Sequence, residues 1–239
     1  VGQSKNIIVR NSIAQYNVAG IEIENSYYAD VYDNLASHNT AGILVFDLPD
    51  LPQQGGHHIR VFDNEAINND TDNFAPEGNI VGEVPRGTGI IIMANSDVEV
   101  FNNLMSGNGT VNLSIVSYGD ETDDQNYYPH PKRIQVHNNK YGPAGFDPDI
   151  NTGELAKTLF EISDGNMPDI FWDGVAPLSQ LIFGQPEEEK LIISEDEDVT
   201  FLTISAIKYM MGFSNPILTD IDEFQGVINP LKPINIEGI

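Results

Sequence analysis

The chain has 239 residues and no cysteine, and its 36 Asp and Glu against 11 Lys and Arg give a formal net charge of −25 at pH 7. The missing thiols exclude disulfides, thiolate metal sites and a cysteine nucleophile. So large a negative charge argues against nucleic acid and against an anionic membrane surface as partners. No stretch approaches the roughly 18 apolar residues of a membrane span. The chain begins at Val1, and we expect it to be a processed or truncated product.

One strand-turn-strand pattern recurs five times over roughly the first 140 residues. Its first strands align without gaps and begin at Ile7, Ala29, Ile59, Val98 and Ile134. A second strand follows in the first four repeats, beginning at Gly20, Gly42, Gly89 and Asn112. The shortest period is 22 residues, from Val9 to Val31, and insertions at 48–56, 70–87 and 119–132 lengthen the others.

The repeat predicts an all-β fold, a right-handed parallel β-helix solenoid with an irregular C-terminal segment that caps or covers it. Ile and Val at alternate positions suit strands, and Gly and Asn suit tight corners. Because side chains alternate in a strand, pairs such as Ala29/Val31 and Ile59/Val61 are expected to point inward. The repeated Asn34, Asn64, Asn103 and Asn139 are expected to stack at one corner as an amide ladder.

Stacking would also align the outward residues of the first strands. One predicted outer column contains Tyr32, Phe62, Phe101 and His137, and the neighbouring column contains Asp30, Arg60 and Glu99. Aromatic rings beside charged groups are typical of sugar-binding surfaces, so these seven residues are our candidate ligand-binding site. The alternative is that they stabilise the sheet or lie beneath another segment.

Two domains are predicted, with coils in residues 1–142 and a capping or covering segment in residues 143–239. The second strands carry an apolar outer patch that includes Leu44, Phe46, Ile91 and Met93. Apolar patches of this kind are usually covered, and the C-terminal segment is the expected cover. Short helical turns are expected at 154–162 and 199–211.

Metal binding is predicted at one turn. Asp147, Asp149 and Asn151 place oxygen ligands at alternate positions, as calcium loops do, and a solvated acidic turn is the alternative. The run 120–124 is a weaker calcium candidate. The adjacent His57 and His58 are expected to face opposite sides of a strand, which disfavours copper or zinc binding there.

Residues 31–39 followed by 41–47 resemble the β-helix repeat of pectate-lyase-like proteins. Together with 69–70, 87–92 and the Trp-containing 168–174, they are similar to a bacterial family of exported parallel β-helix repeat proteins. This resemblance implies export, by a signal peptide or lipoprotein anchor, and association with a second exported protein. It supplies no catalytic residues. Residues 141–149 are also similar to the Asp-Pro-His region of alginate C5-epimerases, but the His is missing here.

These observations favour a secreted or periplasmic, non-catalytic module that binds a glycan or an envelope partner. A polysaccharide lyase or C5-epimerase acting on uronic acids is the first alternative. The groups available for such chemistry are Arg60 with Asp30 and Glu99, the basic pair Lys132-Arg133, and His130 or His137, and no spacing ties them into one site. A cation would neutralise the sugar carboxylate and a base would take the C5 proton. A structural subunit of an extracellular assembly is the second alternative. Ca²⁺ is the only cofactor that the sequence suggests.

Overall fold

A computed structural model describes residues 1–76, 78–150, 154–205, 208, 210–213 and 216–236. This part of the chain is rich in strands and has few helices. Its strands are β1 Lys5–Arg10, β2 Ile13–Gln15, β3 Ala19–Glu24, β4 Tyr27–Tyr32, β5 Leu35–Ser37, β6 Ala41–Phe46, β7 His57–Phe62, β8 Glu65–Ile67, β9 Thr88–Met93, β10 Ser96–Phe101, β11 Leu104–Ser106, β12 Val111–Val116, β13 Lys132–His137, β14 Lys140–Tyr141, β15 Ile170–Trp172, β16 Ile192–Ser194, β17 Phe201–Ile204 and β18 Ile217–Leu218.

These strands form three sheets, and consecutive strands up to β16 enter the sheets in rotation. Sheet 1 has the order β1-β4-β7-β10-β13-β16, and sheet 2 has the order β2-β5-β8-β11-β14. Sheet 3 runs from β3 through β6, β9, β12, β15 and β17 to β18. Every pairing is parallel except that of β17 with β18. The repeat therefore produces in-register parallel strands, with Ala29 paired to Ile59 as the sequence alignment predicts.

Helices occur in the C-terminal part and at one corner insertion. The α-helices are α1 Glu154–Ile162 and α2 Leu178–Phe183, and 3-10 turns span Ile80–Glu83, Glu187–Glu189 and Ile221–Phe224. The helix predicted at 154–162 is thus confirmed. The one predicted at 199–211 is wrong at Phe201–Ile204, where β-branched and aromatic residues continue sheet 3 instead. Residues 206, 207 and 209 lie outside the described residues.

The core is a cluster of aliphatic side chains that come from strands of all three sheets. The predicted inward pairs are confirmed, since Val31, Ile59, Val61, Val98 and Val136 are fully buried in one cluster. Burial of a side chain of this size stabilises the fold by roughly 1.5–3 kcal/mol before entropy is subtracted. Strands of the 143–239 segment join the same sheets, and Ile170 and Ile193 extend the same core.

Two amide ladders hold the corners of the stack. In the predicted ladder, Nδ2 of Asn34, Asn64 and Asn103 each donates to Oδ1 of the next asparagine, at 2.9, 3.0 and 3.0 Å. Glu195 follows Asn139 and accepts from its Nδ2 at 2.8 Å. A second ladder links Asn17, Asn39, Asn69, Asn108 and Asn112. Buried amides with several partners fix the corners without any ligand.

The apolar outer face of sheet 3 is covered by the chain itself, as the sequence suggested. Leu44, Phe46 and Ile91 form a second buried cluster with Leu159 of α1. Ile162 and Met167 pack against the same cluster. Helix α1 is therefore held on sheet 3 by buried apolar area.

Candidate binding groove on sheet 1

The four predicted aromatic residues form one continuous stack along sheet 1. Ring centroids lie 4.8 Å apart for Tyr32 and Phe62, 4.9 Å for Phe62 and Phe101, and 5.2 Å for Phe101 and His137, with interplanar angles of 12° or less. Each ring is half-buried. Because neighbouring rings cover one another's faces, the column presents ring edges to its surroundings. A sugar that packs on an aromatic face needs such a face to be free.

The three predicted charged residues lie beside this stack and contact one another or the rings. Arg60 Nη1 lies 3.3 Å from Asp30 Oδ2, and the guanidinium carbon lies 4.6 Å from the Phe62 centroid. His137 Nε2 lies 3.1 Å from Glu99 Oε1. Burial raises the pKa of Asp30. The structure thus brings all seven predicted residues together on one face.

An extended C-terminal segment, residues 229–236, crosses this face and is called the strap below. The backbone N–H of Leu231 donates to Glu99 Oε2 at 2.9 Å, and that of Ile234 donates to Asp30 Oδ2 at 3.0 Å. The strap also exchanges two hydrogen bonds with Gln135 through Asn229. Asp30 and Glu99, predicted to face a ligand, are only 4% and 2% exposed and hold the chain's own backbone.

Polar groups beneath the strap are incompletely paired. Asp30 Oδ1 and Arg60 Nε are buried and have no hydrogen-bond partner. Buried polar atoms without partners cost free energy, typically about 1–3 kcal/mol each. The strap therefore covers the charged column without satisfying all of it.

A groove opens between the strap and the start of strands β1, β4 and β7 of sheet 1. It has a volume of about 440 Å³ and is lined by Asn6, Tyr28, His58 and residues 230–235. Tyr28 is 41% exposed, unlike the rings of the aromatic stack. The groove thus combines an accessible aromatic ring with the amides of Asn6 and Asn235 and the cation of Lys232.

A row of residues with left-handed backbone conformation runs across sheet 1, and three of them, Asn6, Tyr28 and His58, line this groove. Tyr28, His58, Asp97 and Arg133 occupy equivalent positions, as does Asn6, and all have positive φ between 52° and 58°. Positive φ is unusual for residues as bulky as Tyr, His and Arg. It interrupts the alternation of faces, so these side chains do not point where a regular strand would place them. Sequence reasoning missed this row, although all five residues immediately precede the aligned repeat.

The prediction that His57 and His58 face opposite sides is therefore wrong. Their Nδ1 atoms lie 2.9 Å apart, because the left-handed conformation at His58 turns its side chain toward its neighbour. His58 Nδ1 lies 3.7 Å from Asp97 Oδ2, and Arg133 binds both oxygens of Asp97. Burial lowers the pKa of His57, and the neighbouring His58 lowers it further.

In the predicted calcium loop, the two described acidic residues contact Arg86 of the same chain. Arg86 Nη1 donates to Asp147 Oδ2 at 2.9 Å, and the Arg86 backbone N–H donates to Asp149 Oδ2 at 3.1 Å. The third predicted ligand, Asn151, lies outside the described residues. Within the described ranges, no group of three or more His, Asp or Glu side chains is placed to hold a metal ion.

A separate buried carboxylate lies where β15 leaves sheet 3. Asp173 accepts hydrogen bonds from the backbone N–H groups of Ser117 and Val175 at 2.6 and 3.0 Å. Burial raises the pKa of Asp173 to about 6, although these bonds oppose the shift. Ser117 Oγ lies 3.0 Å from His130 Nδ1, so the three side chains form one polar cluster.

No protein-family model, curated protein or solved structure matches the chain. The described helices include none that is long and apolar enough to span a membrane.

Proposed function

We propose that this protein is an exported right-handed parallel β-helix that binds a glycan, or a glycan-bearing partner in the envelope, without catalysing a reaction. Parallel strands that enter three sheets in rotation support the architecture. The rotation places a long row of equivalent positions on each face, as in other solenoids. Export rests on the sequence resemblance alone.

One observation carries the binding proposal: the groove holds an accessible tyrosine ring between amide and ammonium groups. Sugars offer C–H groups, which pack on aromatic faces, and hydroxyls, which bond to amides and charged groups. Ligand sites commonly combine apolar contact with a few placed polar groups, and the groove volume lies within their usual range of about 300–1,000 Å³. Lys232 would favour glycans that carry carboxylates.

The test is calorimetric titration of neutral and uronic-acid oligosaccharides, chosen from a glycan array, into the full chain. Tyr28→Ala should weaken binding at least fivefold, roughly the loss of a 1 kcal/mol contact. Tyr16→Ala is the matched control, because Tyr16 is an exposed ring that stacks on His38 away from the groove. Equal affinity in both variants, or silence across the array, would refute the glycan proposal.

The aromatic stack is a competing location for the same ligand. Phe62→Ala removes one of the two inner rings of the stack, which contacts Tyr32 on one face and Phe101 on the other. If the stack is the site, this variant loses binding while Tyr28→Ala keeps it. If the stack stabilises the sheet, the variant loses stability and, while folded, keeps its affinity.

A uronic-acid lyase or epimerase remains the second candidate, favoured by the incompletely paired cluster beneath the strap. Asp30 has a raised pKa and a free oxygen, and Arg60 has a free Nε. A base beside a guanidinium suits removal of the C5 proton. Incubation with alginate or pectate panels tests this by near-ultraviolet absorbance of unsaturated products for a lyase and by NMR for C5 epimers. The absence of both signals would eliminate the candidate.

A further inference from the structure

The imidazole rings of two consecutive residues, His57 and His58, approach each other closely beside the groove. The Nδ1 atoms of His57 and His58 approach to 2.9 Å, while the ring planes are inclined at 79°. Adjacent residues of a regular strand cannot meet in this way, because their side chains lie on opposite faces. The left-handed conformation of His58 makes the approach possible.

The separation matches a recognisable coordination geometry. Two nitrogens bound to one ion at about 2.0–2.1 Å and at a right angle lie about 2.9 Å apart, whereas a tetrahedral angle separates them by about 3.3 Å. Right angles between adjacent ligands characterise Cu²⁺ and Ni²⁺ sites, and Cu²⁺ has the highest affinity of the divalent series for nitrogen ligands.

We propose that His57 Nδ1 and His58 Nδ1 bind a divalent transition-metal ion, Cu²⁺ above all, in two adjacent coordination positions. Water completes the coordination from the open side, since the His58 side chain is 42% exposed and lines the groove. The proposal does not depend on glycan binding.

The surroundings are compatible with a bound cation. Asp97 Oδ2 lies 3.7 Å from His58 Nδ1 and supplies negative charge, although Arg133 balances part of it. The formal charge of −25 adds long-range attraction for cations.

The competing explanation is a shared proton. One imidazole N–H that donates to the other nitrogen accounts for the same 2.9 Å separation without metal. The two explanations differ in one measurable respect, because only a metal site predicts Cu²⁺ binding that weakens when either imidazole is replaced.

Titration of Cu²⁺ into the full chain, with excess Mg²⁺ to occupy surface carboxylates, tests the proposal. We expect one site whose electron paramagnetic resonance spectrum shows two coupled imidazole nitrogens. His57→Gln and His58→Asn should each weaken binding about tenfold or more. Asn tolerates positive φ and already occupies the equivalent position as Asn6, so the second variant should fold normally.

His38→Gln is the matched control, because His38 stacks on Tyr16 away from the groove. It should retain the wild-type affinity and spectrum. Unchanged Cu²⁺ affinity in His57→Gln and His58→Asn would overturn the proposal, as would a spectrum without imidazole nitrogens. Ni²⁺ should follow the same pattern with lower affinity, and Zn²⁺ should bind more weakly than Cu²⁺.

Discussion

The outer faces of sheets 1 and 3 are both covered by the C-terminal part of the chain, but by different means. Helix α1 covers sheet 3 through buried apolar side chains such as Leu159 and Phe46. The strap covers sheet 1 through backbone hydrogen bonds to side chains such as Asp30 and Glu99. The apolar side chains of α1 are exposed to water only when the whole helix separates from sheet 3. Water can replace the hydrogen bonds of the strap one at a time. The cover of sheet 1 is therefore the more easily opened.

The largest effect is expected for the apolar cover. Leu159→Ala removes a side chain that is 2% exposed, and it should lower the free energy of unfolding by about 2–5 kcal/mol. Urea denaturation provides the measurement. Lys157→Ala, on the exposed side of the same helix, should change stability by less than about 0.5 kcal/mol. Equal losses in the two variants would show that α1 is not anchored through its apolar face.

The buried carboxylate at the end of β15 should make stability depend on pH. The Asp173 pKa is about 6 in the folded chain and 3.8 as its ordinary value, so between them the folded state binds more protons. The stabilisation from protonated Asp173 is therefore present below pH 4 and is lost as the pH rises through about 6.

The Asp173→Asn variant separates this contribution from those of other carboxylates. Its stability relative to wild type should rise by about 2 kcal/mol between pH 4 and pH 7, most of what a pKa shift of about two units supplies. Urea denaturation across that range measures the difference. A constant difference would mean that Asp173 titrates normally.

A smaller effect is expected for the polar cover. Glu99→Ala removes the acceptor of the Leu231 N–H, a bond to a charged group worth about 1.5–3 kcal/mol at most. Because strap opening is local, we expect amide exchange at Leu231 and Ile234 to accelerate about tenfold while Val136 in the core is unchanged. Glu65→Ala, an exposed carboxylate on sheet 2, is the control. Global acceleration instead would show that the strap and core unfold together.

The smallest effect concerns the predicted calcium loop. Arg86 donates a hydrogen bond to the Asp147 carboxylate and would compete with Ca²⁺ for it. Ca²⁺ should therefore raise the melting temperature of Arg86→Ala more than that of wild type. The gain in the free energy of unfolding should stay below about 2.7 kcal/mol, which is the stabilisation that a ligand supplies at 100 times its dissociation constant. If neither protein responds to Ca²⁺, calcium has no role at this loop.

Sequence periodicity predicts the inside of this molecule well. Fixed spacing of Ile, Val and Asn determines which residues stack, so the core columns and the amide ladder of Asn34 follow directly. The candidate site is predicted only in part. The seven residues on sheet 1 do lie together, but nothing in their spacing reveals that ring faces cover one another or that the strap covers the charges.

Three features could not be predicted, for physical reasons. The strap bonds through its own backbone, which leaves little signature in residue types. The turn of His58 toward His57 depends on its φ angle, and the assumption of strict alternation conceals it. Glu195 likewise takes an asparagine position at the end of the ladder without belonging to any recognisable repeat.

The amide ladder that ends at Glu195 also has a direction. Each asparagine donates to the next asparagine in the row and accepts from the preceding one, so the amide dipoles add along the row. Their positive ends point toward Glu195, which accepts from both the side chain and the backbone of Asn139. The Glu195 carboxylate accepts hydrogen bonds from the positive end of the row, as an anion does at a helix N-terminus. The row of neutral amides thus favours the charged form of Glu195, although burial outweighs it and raises the pKa of that carboxyl.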